Sequence, residues 1–424
     1  MWLIFIGIIG VAFFADRTSF LTYFLPYSLA FAGFFYTIIQ RGKNYQLQNK
    51  DIYFAIFLRF ILVFSFPNLS DDVYRFIWDG QLIKEGFYPY SFTPKEWILK
   101  GGCGLNSFEE LYPNLNSKEY YSVYPPILQI FFFIAVLPGF KISGTTLILK
   151  AIIFLFESIT ILWIPKLLKI TGIPAGKSLW YLFNPLIIVE LTGNIHFEAI
   201  AISFFILSVL NFQNRKVLQT SLWLALSAGT KILPIIFMPI FLCKIERTHR
   251  FKFIISFLFF LLILLIPIFF GHFFKSFTLY FNRFEFNGFL YLISRELVQH
   301  LIGYNPINFL GPSLTIITGA AMILILYKRK EDEKKTSFFF ILFYLLGSTT
   351  VHPWYLSFFI LLSMFTPFIF PLIWSFSIGL SYFQYQNGVY RESLEIIFLE
   401  YVIWIFPLLV EIIMFNKTKD HVQN

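Results

Sequence analysis

"KIERTHRFKFIISFLFFLLILLIPIFF", Lys244 to Phe270, sets Lys244, Arg247, Arg250 and Lys252 against a run, Phe253 to Phe270, that carries no charge. Such a run crosses about 30 Å of hydrocarbon at roughly 1.5 Å per residue. The basic residues mark its cytoplasmic end, because short cytoplasmic loops are rich in Lys and Arg. Apolar runs of this kind recur through all 424 residues. The chain is 57% hydrophobic and 13% charged, with a mean hydropathy of +0.70, where soluble domains carry about 25% charged residues. The fold class is an all-α polytopic membrane protein, and the 59 phenylalanines make its helices bulky, with few small-residue interfaces.

The formal charge of +9 does not point to nucleic acid. More than half of the 33 Lys and Arg residues fall in six short segments: Arg41–Lys50, Lys166–Lys177, Arg215–Lys216, Lys244–Lys252, Lys328–Lys335 and Lys417–Lys419. Placing all six in the cytoplasm orients the remaining runs and gives a bundle of about 12 transmembrane helices in a single integral membrane domain, residues 1–424. On that topology residues 68–124 form an outer-face loop with interfacial helices. Residues 124–140, "YPPILQIFFFIAVLPGF", are too short for a span and read as a re-entrant segment. Residues 271–306 form a second outer loop, and Val217–Leu242 splits into two short helices that meet near Lys231. Cys103 and Cys243 fall on opposite sides, so no disulfide framework is expected. The first apolar stretch, Met1–Ala15, has no basic leader and is expected to persist as a helix.

The polar clusters away from the basic loops share one face: "SDDVYR" (Ser70–Arg75), "TGNIHFE" (Thr192–Glu198), Lys231, "FNRFEFNGF" (Phe281–Phe289) and "TTVHPWY" (Thr349–Tyr355). Ionisable groups at membrane depth are costly and tend to be functional. The bland reading of Asp71 and Asp72 is a helix cap with a favourable dipole charge, with Ser70 as the capping residue. The functional reading makes one carboxylate a general base or a ligand for a divalent cation, Mg or Mn. Lys231 either snorkels outward or grips a phosphate as a point charge. Acids, histidines, a lysine and an arginine in one outward cavity suit an anionic lipid head group and a polar acceptor. Nothing resembles a nucleotide site, so a transferred sugar would come from a lipid-linked donor.

"SDDVYRFIWDGQLIKEGFYPY" (from Ser70), "YPPILQ", "LFNPLIIVELTGNIHFEAIAI", "AGTKILPIIFMP" and "HPWYLS" (to Ser357) together resemble the GT-C-fold polyprenyl-phosphate-dependent glycosyltransferases, closest to their bacterial mannosyltransferase-like branch. The resemblance implies an inverting transfer of mannose or another hexose from a polyprenyl-phosphate sugar to a lipid or glycan acceptor, at the outer face of the cytoplasmic membrane. Asp71 and Asp72 match the position of the family's catalytic base, with Asp71 as the base and Asp72 orienting it. Lys231, Arg75 and His352 are the expected donor-phosphate contacts. Trp78, Asp79, Tyr124 and His196, with Asn194, Glu198, Trp354 and Tyr355, are the expected substrate contacts. The chain departs from the family in two respects: Phe197 and Glu198 follow His196 where Asn-Asp is usual, and three helices precede or abut the acidic motif where many members have one. A transporter or flippase of lipid-linked sugars is the alternative, although no internal repeat of the kind such proteins show is visible. Arg59, Lys150 and Glu157, inside apolar runs, read equally well as a structural network.

Overall fold

The computed structural model describes residues 1–42, 45–101, 106–329 and 332–423. Cys103 and Lys330 lie outside the described residues, as do the side chains of Asn282, Arg283, Lys417 and Lys419. The protein is 77% helical with no strand among the described residues; pairing is confined to isolated bridges. The polytopic helical class holds. Among the described residues, length and composition single out five helices able to cross a membrane, or six with one bent pair, against the roughly twelve expected. Of the runs read as spans, those from Met1 and Trp354 are helices of only 10–17 residues, as are Pro126–Val136 and Leu233–Lys244, which were read as a re-entrant segment and as half of a broken hairpin.

The chain divides into two compact units. The central unit comprises Ile52–Ile170 and Leu191–Phe284; the terminal unit comprises Met1–Asp51, Thr171–Glu190 and Glu285–Asn424.

In the central unit, helix Asp72–Lys84 is buried at every position from Arg75 to Leu82. It is a core helix and not the interfacial one expected. Its crossing with helix Pro126–Val136 is made possible by Gly80, where an added Cβ would lie 2.5 Å from the Phe132 carbonyl oxygen. Gly80→Ala must push the two helices apart, and overpacking of this kind costs about 1–3 kcal/mol. Thermal unfolding of the purified protein checks this; an unshifted midpoint would mean that the crossing is loose.

Helix Ile142–Ile170, about 44 Å long at 1.5 Å per residue, backs the core, with helices Glu198–Gln213, Val217–Thr230 and Arg247–Leu265 packed in sequence beside it. Two buried charge contacts tie it to helix Asn49–Leu62 and the turn after it. Arg59 Nε donates to Glu157 Oε2 at 2.7 Å with both side chains fully buried. Lys150 Nζ donates to Ser65 Oγ at 2.7 Å and to the Leu62 carbonyl at 2.9 Å. Val217–Thr230 stops where expected: Lys231 is extended (φ −139°, ψ 133°), and a 3₁₀ turn Leu233–Phe237 and helix Met238–Lys244 follow. In the loop between Lys84 and Tyr124, helix Pro94–Leu99 begins with a capping box in which Thr93 Oγ1 accepts from Glu96 N and Glu96 accepts from Thr93 N. That backbone bond, with help from Tyr121, holds the Glu96 carboxyl below its usual range.

In the terminal unit, helices Trp2–Phe14 and Phe20–Arg41 meet through small residues, contrary to the sequence expectation. A Cβ on Gly7 would lie 2.5 Å from the Ala30 amide nitrogen, and one on Gly33 2.7 Å from Leu3 Cβ. Helices Ile307–Arg329, Glu333–Gly347 and Leu394–Gln423 supply most of its remaining apolar length.

Candidate functional site

The acidic motif enters its helix without the cap that the bland reading needs. Asp71 occupies the N-cap position, yet its side chain makes no capping bond. Ser70 Oγ accepts from the Asp72 amide at a long 3.4 Å. Asp71 is exposed. Asp72 is half-buried, and its Oδ1 accepts from Asn116 Nδ2 at 3.0 Å.

The motif around His196 is built differently. Residues Ile188–Gly193 are π-helical, a form that appears mostly as short turns at functional sites. Ile195 then adopts φ +61°, a left-handed conformation that a β-branched residue takes only under constraint. The His196 amide bonds back to the Leu191 carbonyl at 3.1 Å, and helix Glu198–Gln213 begins at once. The two helical pieces on either side are bent by 112°. Glu198, Asp72 and Lys231 lie near enough for their charges to act on His196. Lys231 Nζ lies 2.9 Å from Glu198 Oε1, with the lysine side chain 28% exposed and the glutamate 6%. Asp72, His196, Glu198 and Lys231 therefore gather at one place. The anionic partner that a lysine between apolar half-helices requires is supplied, in the protein by itself, by Glu198.

Other expected contacts take structural positions. Arg75 Nε bonds Asp79 Oδ1 at 2.8 Å, and its Nη1 donates to the carbonyls of Ser117 and Tyr120 at 3.2 and 2.8 Å. Asp79, fully buried, also accepts from Ser122 Oγ and from Gln129 Nε2. These groups clamp the loop between Lys84 and Tyr124 onto the helix. Trp78 is fully buried against Phe108 and Tyr112 and offers no open face for a sugar. Tyr124 packs edge-on against Phe76 and Phe132, and its carbonyl accepts from the Tyr90 hydroxyl at 2.6 Å. Asn194 is buried within the strained turn.

His352, Trp354 and Tyr355 belong to the terminal unit and form a cluster there. The His352 ring stacks between Phe286 (4.5 Å) and Trp354 (4.4 Å), with Tyr355 edge-on at 5.5 Å. Phe286 is held by bridges between Phe286–Asn287 and Thr350, and Asn287 Nδ2 donates to both oxygens of the buried Glu400.

Asn116, Ser122 and Gln129, which orient the two aspartates of this helix, escaped the sequence reading, as did Glu400. Gln129 and Glu400 each left a signal, a polar residue inside an apolar run. Among the described residues no group of three His, Cys, Asp or Glu side chains has the arrangement to hold a metal ion. Asp71 and Asp72 by themselves supply two carboxylates.

Over 158 residues, 37% of its length, the chain is 23% identical to Alpha-(1->6)-mannopyranosyltransferase A of Mycobacterium tuberculosis (strain ATCC 25618 / H37Rv), and the alignment spans 29% of that relative's length. No solved structure matches the chain. Residues 30–246 match the family described as Alpha-(1->6)-mannopyranosyltransferase, N-terminal domain. That stretch covers just over half of the chain and carries Asp72, His196, Glu198 and Lys231 alike, so the chain belongs to the alpha-(1->6)-mannopyranosyltransferase family.

Proposed function

We propose that this chain is a GT-C-type membrane glycosyltransferase that moves a mannosyl residue from a polyprenyl-phosphate donor to a lipid or glycan hydroxyl at the outer face of the cytoplasmic membrane. The observation that carries the reading is the gathering of Asp72, His196, Glu198 and Lys231 inside the stretch that matches the family. The acceptor oxygen attacks the anomeric carbon from the side opposite the phosphate. Its proton passes to an aspartate, and the departing phosphate rests on Lys231. Inversion needs one base and one cation, and the cluster has both. Asp72 is favoured over Asp71 as the base because Asn116 orients it and His196 feels its charge. Arg75, tied to Asp79 and the loop, supports the site from behind. The test is product formation from labelled polyprenyl-phosphate mannose by the purified protein in proteoliposomes. Donor that crosses the bilayer with no product would mark the transporter instead.

Lys231→Met raises the donor KM by about 10–150-fold, the worth of a hydrogen bond to a charged group. Lys231→Met combined with Glu198→Gln leaves no unpaired carboxylate, so it separates the lost phosphate contact from the cost of a lone buried charge. An unchanged KM in both removes Lys231 from the donor site. The orientation has its own check. In a cysteine-free background, an impermeant thiol reagent on intact cells labels Glu119→Cys in the outer loop and leaves Lys216→Cys unlabelled; the reverse pattern inverts the topology.

A further inference from the structure

The Lys231–Glu198 pair leaves one oxygen unused. Oε1 receives the lysine at 2.9 Å, while Oε2 is buried without a hydrogen-bond partner among the described residues. A buried carboxylate oxygen has two lone pairs to satisfy, and leaving them unmet is costly. The titratable groups gathered there are Lys231 from the end of helix Val217–Thr230, His196 from the strained turn and Asp72 from the start of helix Asp72–Lys84. A cationic ligand at Oε2 would crowd a second positive charge beside Lys231. A phosphate oxygen would be repelled by the carboxylate itself. A neutral hydroxyl, compact and a strong donor to a carboxylate, suits the atom.

We infer that Glu198 is a specificity-determining residue that accepts, through Oε2, a hydrogen bond from the hydroxyl next to the anomeric carbon of the transferred hexose. The inference rests on the reading above that Lys231 holds the donor phosphate. Lysine and carboxylate form one contact, so the sugar hydroxyl within reach of Oε2 is the one nearest the phosphate-bearing carbon. Mannose and glucose differ in configuration at the carbon that bears this hydroxyl. Glu198 therefore tells an axial from an equatorial hydroxyl, and the Lys231 contact fixes where its carboxylate stands.

The experiment measures kcat/KM for polyprenyl-phosphate mannose, its 2-deoxy and 4-deoxy analogues and its gluco epimer, on the wild-type protein and on Glu198→Gln and Glu198→Ala. The wild type loses about 10–150-fold on the 2-deoxy donor, as expected for a hydrogen bond to a charged acceptor. That penalty, and the preference over the gluco epimer, shrink in Glu198→Gln and vanish in Glu198→Ala, while the 4-deoxy penalty stays the same in all three. A 2-deoxy penalty equal in all three proteins overturns the assignment. Should Glu198→Ala fail to fold, Glu198→Gln decides, because its neutral amide oxygen must give a smaller penalty than the carboxylate. Lys231→Met on the same donors separates the two readings. A raised KM with an unmoved 2-deoxy penalty removes only the role of Glu198; an unchanged KM removes the phosphate site and this assignment with it.

Discussion

Asp72→Asn lowers turnover on polyprenyl-phosphate mannose by about 10²–10⁴-fold, the usual worth of a positioned general base, and Asp71→Asn lowers it by less. Neighbouring residues on a helix point about 100° apart, so the two carboxylates cannot share one geometry. The motif taken alone favours Asp71, the first acid, with Ser70 fixing its entry. The folded chain gives the firmer position to Asp72: half-buried, held by Asn116 at 3.0 Å, and electrostatically coupled to His196. A base must be oriented before it is useful, and Asn116 does this for Asp72, while Asp71 sits exposed at the helix border. Turnover is measured on each variant with folding checked by thermal unfolding. A larger loss at Asp71 restores the order that the motif suggests. Near wild-type turnover in both variants reduces the pair to a helix border and takes the enzyme reading down with it.

Replacing either Arg59 or Glu157 by Leu costs about 3–5 kcal/mol, because the surviving partner is left as an uncompensated buried charge. Replacing both recovers most of the loss, since a buried ion pair gains little over apolar packing of similar volume. The pair meets the conditions for this behaviour: both side chains are fully buried, Nε and Oε2 are 2.7 Å apart, and Arg59 also reaches the Ala55 carbonyl at 3.1 Å. Denaturant unfolding of the two single variants and the double variant in detergent gives the coupling directly. Additive losses would show that the two charges do not depend on each other.

The helical membrane class was legible because hydropathy along the chain is a local property. The number of spans was not. Leu179–Leu191 reads as one run, yet it folds as a short helix Leu179–Leu182, a stop at Asn184, the turn Pro185–Ile187 and the π-helical stretch Ile188–Gly193. Apolarity does not register the Pro185 restriction or the change of helical period. The break at Lys231 was visible for the opposite reason, since a lone lysine between two apolar halves cannot continue a buried helix face. Its bond to Glu198 was invisible, because it joins two helices through tertiary packing. Arg75 was read as a donor-phosphate contact, and Trp78 and Asp79 as substrate contacts. Arg75 and Asp79 stand four positions apart, the spacing of an intrahelical ion pair, and that was the cue to the structural role they take.

The π-helical turn before His196 has a consequence for the ancestry of the motif. Such a turn holds more residues than an α-turn, as a regular helix would with one residue added. Deleting one residue between Ile188 and Gly193 would restore the α period and swing everything after it by about 100° around the axis, carrying His196 and Glu198 round together. Substitution along this stretch changes side chains, whereas a gap changes direction. Among relatives with different residues beside the histidine, a shift of one in alignment here marks a re-aimed site, even where every neighbouring residue is the same.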